Sequence, residues 1–404
     1  MRGCTSSSSP WLRRRPRTPD PASTVPSEPT RDHDRRPLAI AHTESSDGWG
    51  GQEIRILTEA AGMQSRGHRV VVHGAHGSRI VAEAPRFGVP AVALSIGRKR
   101  PAGVIAMRRA LHATPFDIVN THSSTDTWLT AAALRLGARA RPVLVRTRHV
   151  SVPVPNDAAT RWLYRKATTR LVTTGESLRA TLIRDNGIDP ERIESIPTGI
   201  DGTRFAPGDT QAARTALNLP HEFPLIGIVA TLRSWKGHRY LLDAVARLAT
   251  QGARLVIVGD GPQRAALEAQ VDALALRTRV FFAGQQDDVA PWLRALDVFA
   301  LPSYANEGVP QALLQAMFAG VPCVTTDAGA IPEIARHGET ALIVAKEDAG
   351  ALAAGLDTLL ADAALRDRLA AAARAYVVPR FGLPAMLDRM EAAFRRALAD
   401  AGSQ

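Results

Sequence analysis

Arg233 and Lys236 stand three residues apart in the run Val229-Ala230-Thr231-Leu232-Arg233-Ser234-Trp235-Lys236-Gly237-His238, where an apolar stretch gives way to a helical pattern. Cations at a helix N-terminus oppose the helix dipole unless an anion lies between them. Two cations and that dipole together suit a diphosphate. A second segment, Pro302-Ser303-Tyr304-Ala305-Asn306-Glu307-Gly308-Val309-Pro310-Gln311, places one acid, Glu307, in a loop after an apolar strand. Gln315 falls within the helix that follows, and the peptide nitrogens near Gly308 and Val309 are expected to face outward at its start. Glu307 read alone is equally a helix-start acid.

Three further segments lie in the first half. Gly48-Trp49-Gly50-Gly51-Gln52-Glu53 is a glycine-rich turn before a helix; Gly50 and Gly51 let the backbone approach a ligand closely. It matches neither a Walker loop nor G-x-G-x-x-G. Val119-Asn120-Thr121-His122 and Arg146-Thr147-Arg148-His149 each end an apolar run in polar residues. In open parallel sheets the carboxyl ends of strands carry the ligand, so His122, Arg146, Arg148 and His149 are candidates there. Val258-Gly259-Asp260-Gly261-Pro262 reads as an architectural turn.

The elements that position these groups follow from periodicity. Leu38–Ala41, Arg69–Val72, Ala91–Leu94, Phe116–Val119 and Pro142–Val145 read as strands separated by amphipathic segments. After a turn at Pro207-Gly208-Asp209 the rhythm restarts with Pro224–Val229, Arg254–Val258, Val280–Phe282, Val298–Leu301, Cys323–Thr325 and Ala341–Val344. The fold class is α/β: two doubly wound, Rossmann-like domains facing across a cleft. The expected limits are a disordered tail over 1–36, an acceptor-side domain over 37–205 and a nucleotide-binding domain over 206–380. A C-terminal helix over 381–404 is expected to pack back toward the first domain. The tail is rich in Ser, Pro and Arg with little apolar spacing, too little to offset the entropy of ordering.

A chain of 404 residues with 45% hydrophobic and 22% charged content is an ordinary globular protein of two domains. Its two cysteines, Cys4 and Cys323, offer neither a disulfide framework nor metal-ligand spacing. No segment has the apolar length of a membrane span or a secretory signal, so the expected location is the cytoplasm. Residues 1–205 hold 31 Lys and Arg against 18 Asp and Glu, whereas residues 206–404 hold 19 against 21. The basic half points to an anionic partner or to compositional bias, since only four of the fifty basic residues are lysine. Arg98-Lys99-Arg100 and Arg108-Arg109 flank Val104, Ile105, Met107 and Leu111, a basic amphipathic stretch suited either to an anionic membrane surface or to an ordinary surface helix. A nucleic-acid role has charge in its favour but no recognisable module.

Taken together these segments resemble the retaining family 4 glycosyltransferases of the GT-B fold, from about Pro37 to the last helix. Ile196-Pro197-Thr198-Gly199-Ile200-Asp201 is similar to the family's interdomain signature, with Thr198 in place of asparagine. The flavour is that of bacterial enzymes of lipopolysaccharide or surface-polysaccharide biosynthesis. The resemblance implies a nucleotide-sugar co-substrate (UDP-, GDP- or ADP-linked), a glycan or glycolipid acceptor and no bound metal or other cofactor. It implies that Gly50, Gly51 and Lys236 meet the donor diphosphate, that His122 lies near the reacting carbon, and that Glu307 holds the donor sugar with Gly308 and Val309 beside it. Gly284 and Gln285 would flank the base. Two departures stand out: the family's second glutamate is Gln315 here, and its arginine five before the lysine is Thr231, with Arg233 expected to substitute. A sugar-nucleotide epimerase of the same fold, or a catalytically silent nucleotide-binding subunit, are the alternatives; Gln315 and Thr231 favour the latter.

Overall fold

The computed structural model describes residues 36–137, 141–149, 152–305 and 307–402; the expected tail, except Arg36, and Asn306 lie outside the described residues. Thirteen parallel strands form two sheets among the described residues. The first contains β1 (Ala39–Glu44), β2 (Arg69–Ala75), β3 (Ala91–Leu94), β4 (Ile118–Thr121), β5 (Val143–Arg148), β6 (Arg170–Thr173) and β7 (Ile193–Ser195), in the order β3-β2-β1-β4-β5-β6-β7. The second contains β8 (Leu225–Val229), β9 (Arg254–Val258), β10 (Val280–Gly284), β11 (Val298–Leu301), β12 (Cys323–Thr325) and β13 (Leu342–Ile343), in the order β10-β9-β8-β11-β12-β13. Each is a Rossmann-like α/β domain. Every strand expected from the sequence is present, several running further into polar residues than hydrophobicity suggested. β6 and β7 were not expected.

In both sheets the strand order reverses between two neighbours, β1 and β4 in the first and β8 and β11 in the second. Chains leaving adjacent strands at such a point diverge and open a crevice at the strands' carboxyl ends. The glycine loop follows β1, His122 follows β4, the Arg233–Lys236 segment follows β8, and the Glu307 loop follows β11. Four segments singled out for their chemistry thus leave the four strands that flank the two reversals.

The core reflects the same layering. Ile226, Ile228, Leu255, Ile257, Phe299 and Leu301 are buried at the centre of the second domain, as near-continuous apolar runs must be in a sheet covered on both faces. The first domain is completed from far along the chain. The helix Leu383–Gly402 inserts Met386, Leu387, Met390, Phe394 and Ala397 into the cluster that holds Leu38, Ile40, Ile56 and Val72. A Cβ at Gly62 would strike the Leu387 methyl groups, so the Gly51–Ser65 helix and this last helix pack at glycine distance.

Candidate active site between the two domains

Gly237 sets the first half of the site. Its backbone is left-handed, φ +76°, and any Cβ would collide with the carbonyl oxygen of Pro302. Only glycine allows the turn after Lys236 to press against the strand end that begins the Glu307 loop. A backbone bond from Tyr304 N to Trp235 O, 2.9 Å, fastens the same two loops. The result is an ion pair: Lys236 Nζ donates to Glu307 Oε1 at 2.6 Å, and Ser303 Oγ donates to the same oxygen at 2.5 Å. The Glu307 side chain is 5% exposed and that of Lys236 21%. Arg233 does not join them. It is exposed, with its guanidinium carbon 5.7 Å from the Trp235 ring centroid.

The helix after Glu307 runs Gln311–Phe318 with Pro310 at its N-cap. Its first side chain crosses to the other domain: Gln311 Nε2 donates to Gly51 O at 2.9 Å. A Cβ at Gly51 would lie 2.5 Å from that nitrogen, so the glycine allows the close approach. Gln315 is half-buried one turn further on, on the same side of the helix as Gln311. Val309 is buried, and a Cβ on Gly175 would lie 3.4 Å from its Cγ2; Gly308 sits beside Thr174 Oγ1 and His149 O. A second bridge lies close by. The Glu333 carboxylate accepts from Glu176 N and Ser177 N, both 2.9 Å, capping the first domain's helix Glu176–Asn186 from the second domain.

On the first domain's side the strand ends hold a file of three imidazoles. His42 Nδ1 lies 3.0 Å from His122 Nε2, and His122 Nδ1 lies 2.9 Å from His149 Nε2. Both ring nitrogens of His122 are therefore engaged, one as donor and one as acceptor in the uncharged ring. Burial, reinforced by Arg55, pulls His42 down to about 3. Burial first, then neighbouring imidazoles and arginines, holds His122 well below the usual histidine range; His149 is lowered by burial and by Arg55 and Arg146. The file is uncharged at neutral pH. Behind it, Arg55 and Glu59 pair at 3.6 Å, fully buried; Arg55 Nη1 reaches Ile196 O at 2.7 Å, fixing the segment that crosses to the second domain. Burial raises Glu59 to about 7.

Asp126 organises the turn after β4. It accepts from Thr43 Oγ1 (2.6 Å), His122 N (3.0 Å) and both Ser123 N and Oγ (2.9 and 2.6 Å). Ser123 and Asp126 form a capping box on the helix Ser124–Arg135. Glu44, at the end of β1, accepts from Ser46 N at 2.7 Å and from the Gln52 amide, and so shapes the glycine loop. Burial and the nearby Asp126 push it up to about 7.

The remaining candidates divide. Arg146 spends its guanidinium on Ser123 O, 3.0 Å, and on the Thr127 hydroxyl; Arg148 bonds the Tyr164 hydroxyl, 3.3 Å, and Val152 O. Both are buried and committed to partners in their own domain. Gly284 and Gln285 lie at the end of the edge strand β10, and the exposed Gln285 amide reaches only Gln286 O, 3.5 Å. Gly50 is the extended N-cap of the Gly51–Ser65 helix. Among the described residues no group of His, Cys, Asp and Glu is arranged to hold a metal ion. Sequence reasoning missed His42, Glu44, Asp126, Gln311 and Glu333. For His42 and Glu44 a signal existed, since β1 ends in the polar run His42-Thr43-Glu44 just as β4 ends in Asn120-Thr121 with His122 directly after it.

Comparison with known proteins is consistent along the chain. Residues 49–204 match the family described as Glycosyltransferase Family 4, and residues 223–362 match Glycosyl transferases group 1. A D-inositol 3-phosphate glycosyltransferase of Mycobacterium marinum is 30% identical over 323 residues, 74% of this chain and 67% of that protein. The enzyme of the same name from Mycobacterium tuberculosis is 31% identical over 240 residues, 57% of this chain; the match spans about half (49%) of that relative's length. A glycosyltransferase of Rickettsia africae superposes with a TM-score of 0.81 at 18% identity, over 90% of this chain and 99% of that one. Anabaena HepE, solved in complex with UDP, superposes at 0.78 and 21% identity, over 89% of this chain and all of that one. The chain belongs to the group 1 and family 4 glycosyltransferases, on the GT-B fold.

Proposed function

We propose that this chain transfers a sugar from a nucleotide-sugar donor to a glycan or glycolipid acceptor, with retention of configuration and without a bound metal, in lipopolysaccharide or surface-polysaccharide biosynthesis. The observation that carries the reading is the Lys236–Glu307 pair at one strand reversal, with the Gln311–Gly51 contact joining it to the other. Lys236 and the start of the Gln311 helix stabilise charge developing on the departing diphosphate. Glu307 holds the donor sugar with the Gly308 and Val309 nitrogens, and Gln315 reaches the ribose. Gly284 and Gln285 flank the base. Arg233 is available to the outer phosphate because no ion pair holds it among the described residues. His122 faces the reacting carbon as a neutral imidazole, and Arg146, Arg148 and His149 shape the acceptor side. The acceptor hydroxyl attacks on the face the diphosphate leaves and passes its proton toward the leaving phosphate.

The Anabaena structure was solved with UDP, which favours a uridine nucleotide as the first donor to test. The mycobacterial relatives are named for inositol 3-phosphate. The excess of Lys and Arg in residues 1–205 supports a second reading in which the acceptor itself carries phosphate. UDP-, GDP- and ADP-sugars are to be screened by thermal shift and nucleotide release, alone and then with glycan, glycolipid and inositol-phosphate acceptors. Stabilisation by one nucleotide and release of its diphosphate, with transfer to an added acceptor, is expected. A changed nucleotide sugar without an acceptor would identify an epimerase, and binding without release under every acceptor a silent subunit.

A further inference from the structure

The basic stretch beside the site has a counterpart that hydrophobicity alone did not reveal. The helix Pro101–Ala113 turns Met107 and Leu111 inward, fully buried, and leaves Ile105 51% exposed. Beside it runs Ser124–Arg135, the helix that begins two residues after His122, and beyond its end Leu136 is 64% exposed. Between the two helices lies an open groove of about 780 Å³, lined by Val104, Ile105, Trp128, Ala132, Leu136 and Trp162. That volume is typical of sites for small molecules, ~300–1,000 Å³. The two indoles stack, centroids 5.9 Å apart.

Polarity enters the groove only at its rim, and with one sign. Lys99, Arg100 and Arg135 border it. The Lys99 ammonium lies 5.7 Å from the Trp128 ring centroid and 3.3 Å from Ser124 Oγ, and Arg135 lies 5.8 Å from the Trp162 centroid. Among the described residues none of the three has a carboxylate partner, while Arg170, Arg204 and Arg214 elsewhere in the protein do. Cations that rest their stems on apolar rings and keep their heads at a rim are arranged as at a water–hydrocarbon boundary. Exposed apolar surface gathered in one patch marks an interaction site.

We propose that this groove takes a hydrocarbon chain of an anionic membrane lipid, whose phosphate lies at Lys99 and Arg100. The charge pattern selects this occupant: the walls exclude a polar ligand, and the rim attracts an anion. Seated so, the protein meets the bilayer at the helix that starts beside His122, and a lipid-borne acceptor enters the cleft without leaving the surface. The inference does not require the donor chemistry proposed above.

The test uses the full chain and vesicles whose lipids carry bromine on the acyl chains, which quench tryptophan fluorescence on contact. Brominated phosphatidylglycerol should quench, and brominated phosphatidylcholine should bind at least fivefold more weakly. Ile105→Asp with Leu136→Asp, both exposed positions, should abolish quenching and co-sedimentation while the nucleotide-induced thermal shift is retained. Each of Lys99→Ala and Arg100→Ala should weaken vesicle binding about fivefold. Trp128→Phe with Trp162→Phe should remove most of the quenched signal but not co-sedimentation, assigning the contact among the six tryptophans. Absent quenching, equal binding to both lipids, or quenching that survives the aspartates or the loss of both indoles would overturn the proposal. Vesicle binding without any nucleotide response would leave it standing and remove the donor reading instead.

Discussion

Replacing Glu307 by glutamine should separate two properties that usually fall together, nucleotide affinity and turnover. The Lys236 charge is paired with Glu307 at 2.6 Å, so an arriving diphosphate meets a lysine already shared and a carboxylate that repels it. A unit negative charge about 6 Å from a phosphate, at an effective dielectric near 20, costs roughly 3 kcal/mol. The Lys236 ammonium, 2.6 Å from that carboxylate, offsets most of its field, which leaves about 1 kcal/mol. E307Q should therefore bind free nucleoside diphosphate about fivefold more tightly than the parent. The same change removes the group proposed to hold the sugar, and loss of one such preorganised contact lowers turnover by about 10²–10³. K236A should instead weaken nucleotide binding and lower turnover by a similar factor. It also leaves a buried acid with Ser303 as its one remaining side-chain partner among the described residues, at a cost of about 1–2 kcal/mol, visible as a modest fall in Tm. Isothermal titration with UDP, GDP and ADP, paired with initial rates of transfer, gives both quantities on one preparation. An E307Q protein that binds diphosphate no more tightly than the parent, or a K236A protein with normal turnover, would refute the assignment of this pair to the donor phosphates.

Three other outcomes are expected. Folded-state pKa values of His42, His73, His122, His149 and His238 lie below the ordinary 6.5, at about 3 for His42 and His238 and about 4 for His73. The unfolded chain takes up those five protons as pH falls below about 6.5, so each removes ~1.4 kcal/mol of stability per pH unit. Glu44 and Glu59, raised to about 7, bind protons in the folded chain over that range and oppose the trend, and burial shifts Asp126 in the same sense. The net loss should be about 2–3 kcal/mol per unit between about pH 6.5 and 5; urea midpoints that stay flat over that range would show the sign or the groups to be wrong. Gly237→Ala must place a Cβ against the Pro302 carbonyl at positive φ, so a loss of at least ~2 kcal/mol and of most turnover is expected, and a Tm within a degree of the parent would contradict it. Gly51→Ala should lower transfer by pushing Gln311 aside, and Gln311→Ala in the same chain should restore part of it; a double-mutant cycle should show ~0.5–3 kcal/mol of coupling, whereas strict additivity would deny the contact.

The two Rossmann-like domains were legible because parallel strands covered on both faces read as apolar runs, as in Leu225–Val229 and Arg254–Val258. β6 and β7 escaped because they are short and carry polar residues: Ile193-Glu194-Ser195 is an edge strand whose one acid pairs with Arg170 and Arg396. Strand ends were cut short for a related reason. His42, Thr43 and Glu44 are fully buried yet polar, so a search for hydrophobicity stops at Ala41. The loops carrying Lys236, Glu307, His122 and Gly51 were found because glycines and charges stand out after apolar runs. Gln311 and Glu333 did not stand out, because an amide or an acid at a helix start reads as solvent-facing, and only the meeting of two domains turns them into bridges. Arg146 and Arg148 show the reverse. Their address at a strand end was legible but their partners were not: alternation along β5 sends both side chains to the same face of the sheet, where Ser123, Thr127, Tyr164 and Val152 take them up.

The helix Leu383–Gly402 imposes an order on biosynthesis. Because Met386, Met390 and Phe394 complete the interior around β1, the first domain made by the ribosome has an unfilled apolar gap until that helix emerges. The second domain, whose interior draws on residues no later than Phe381, can close before it. The nascent first half is expected to stay loosely packed until then, and the last helix acts as the plug that completes its interior.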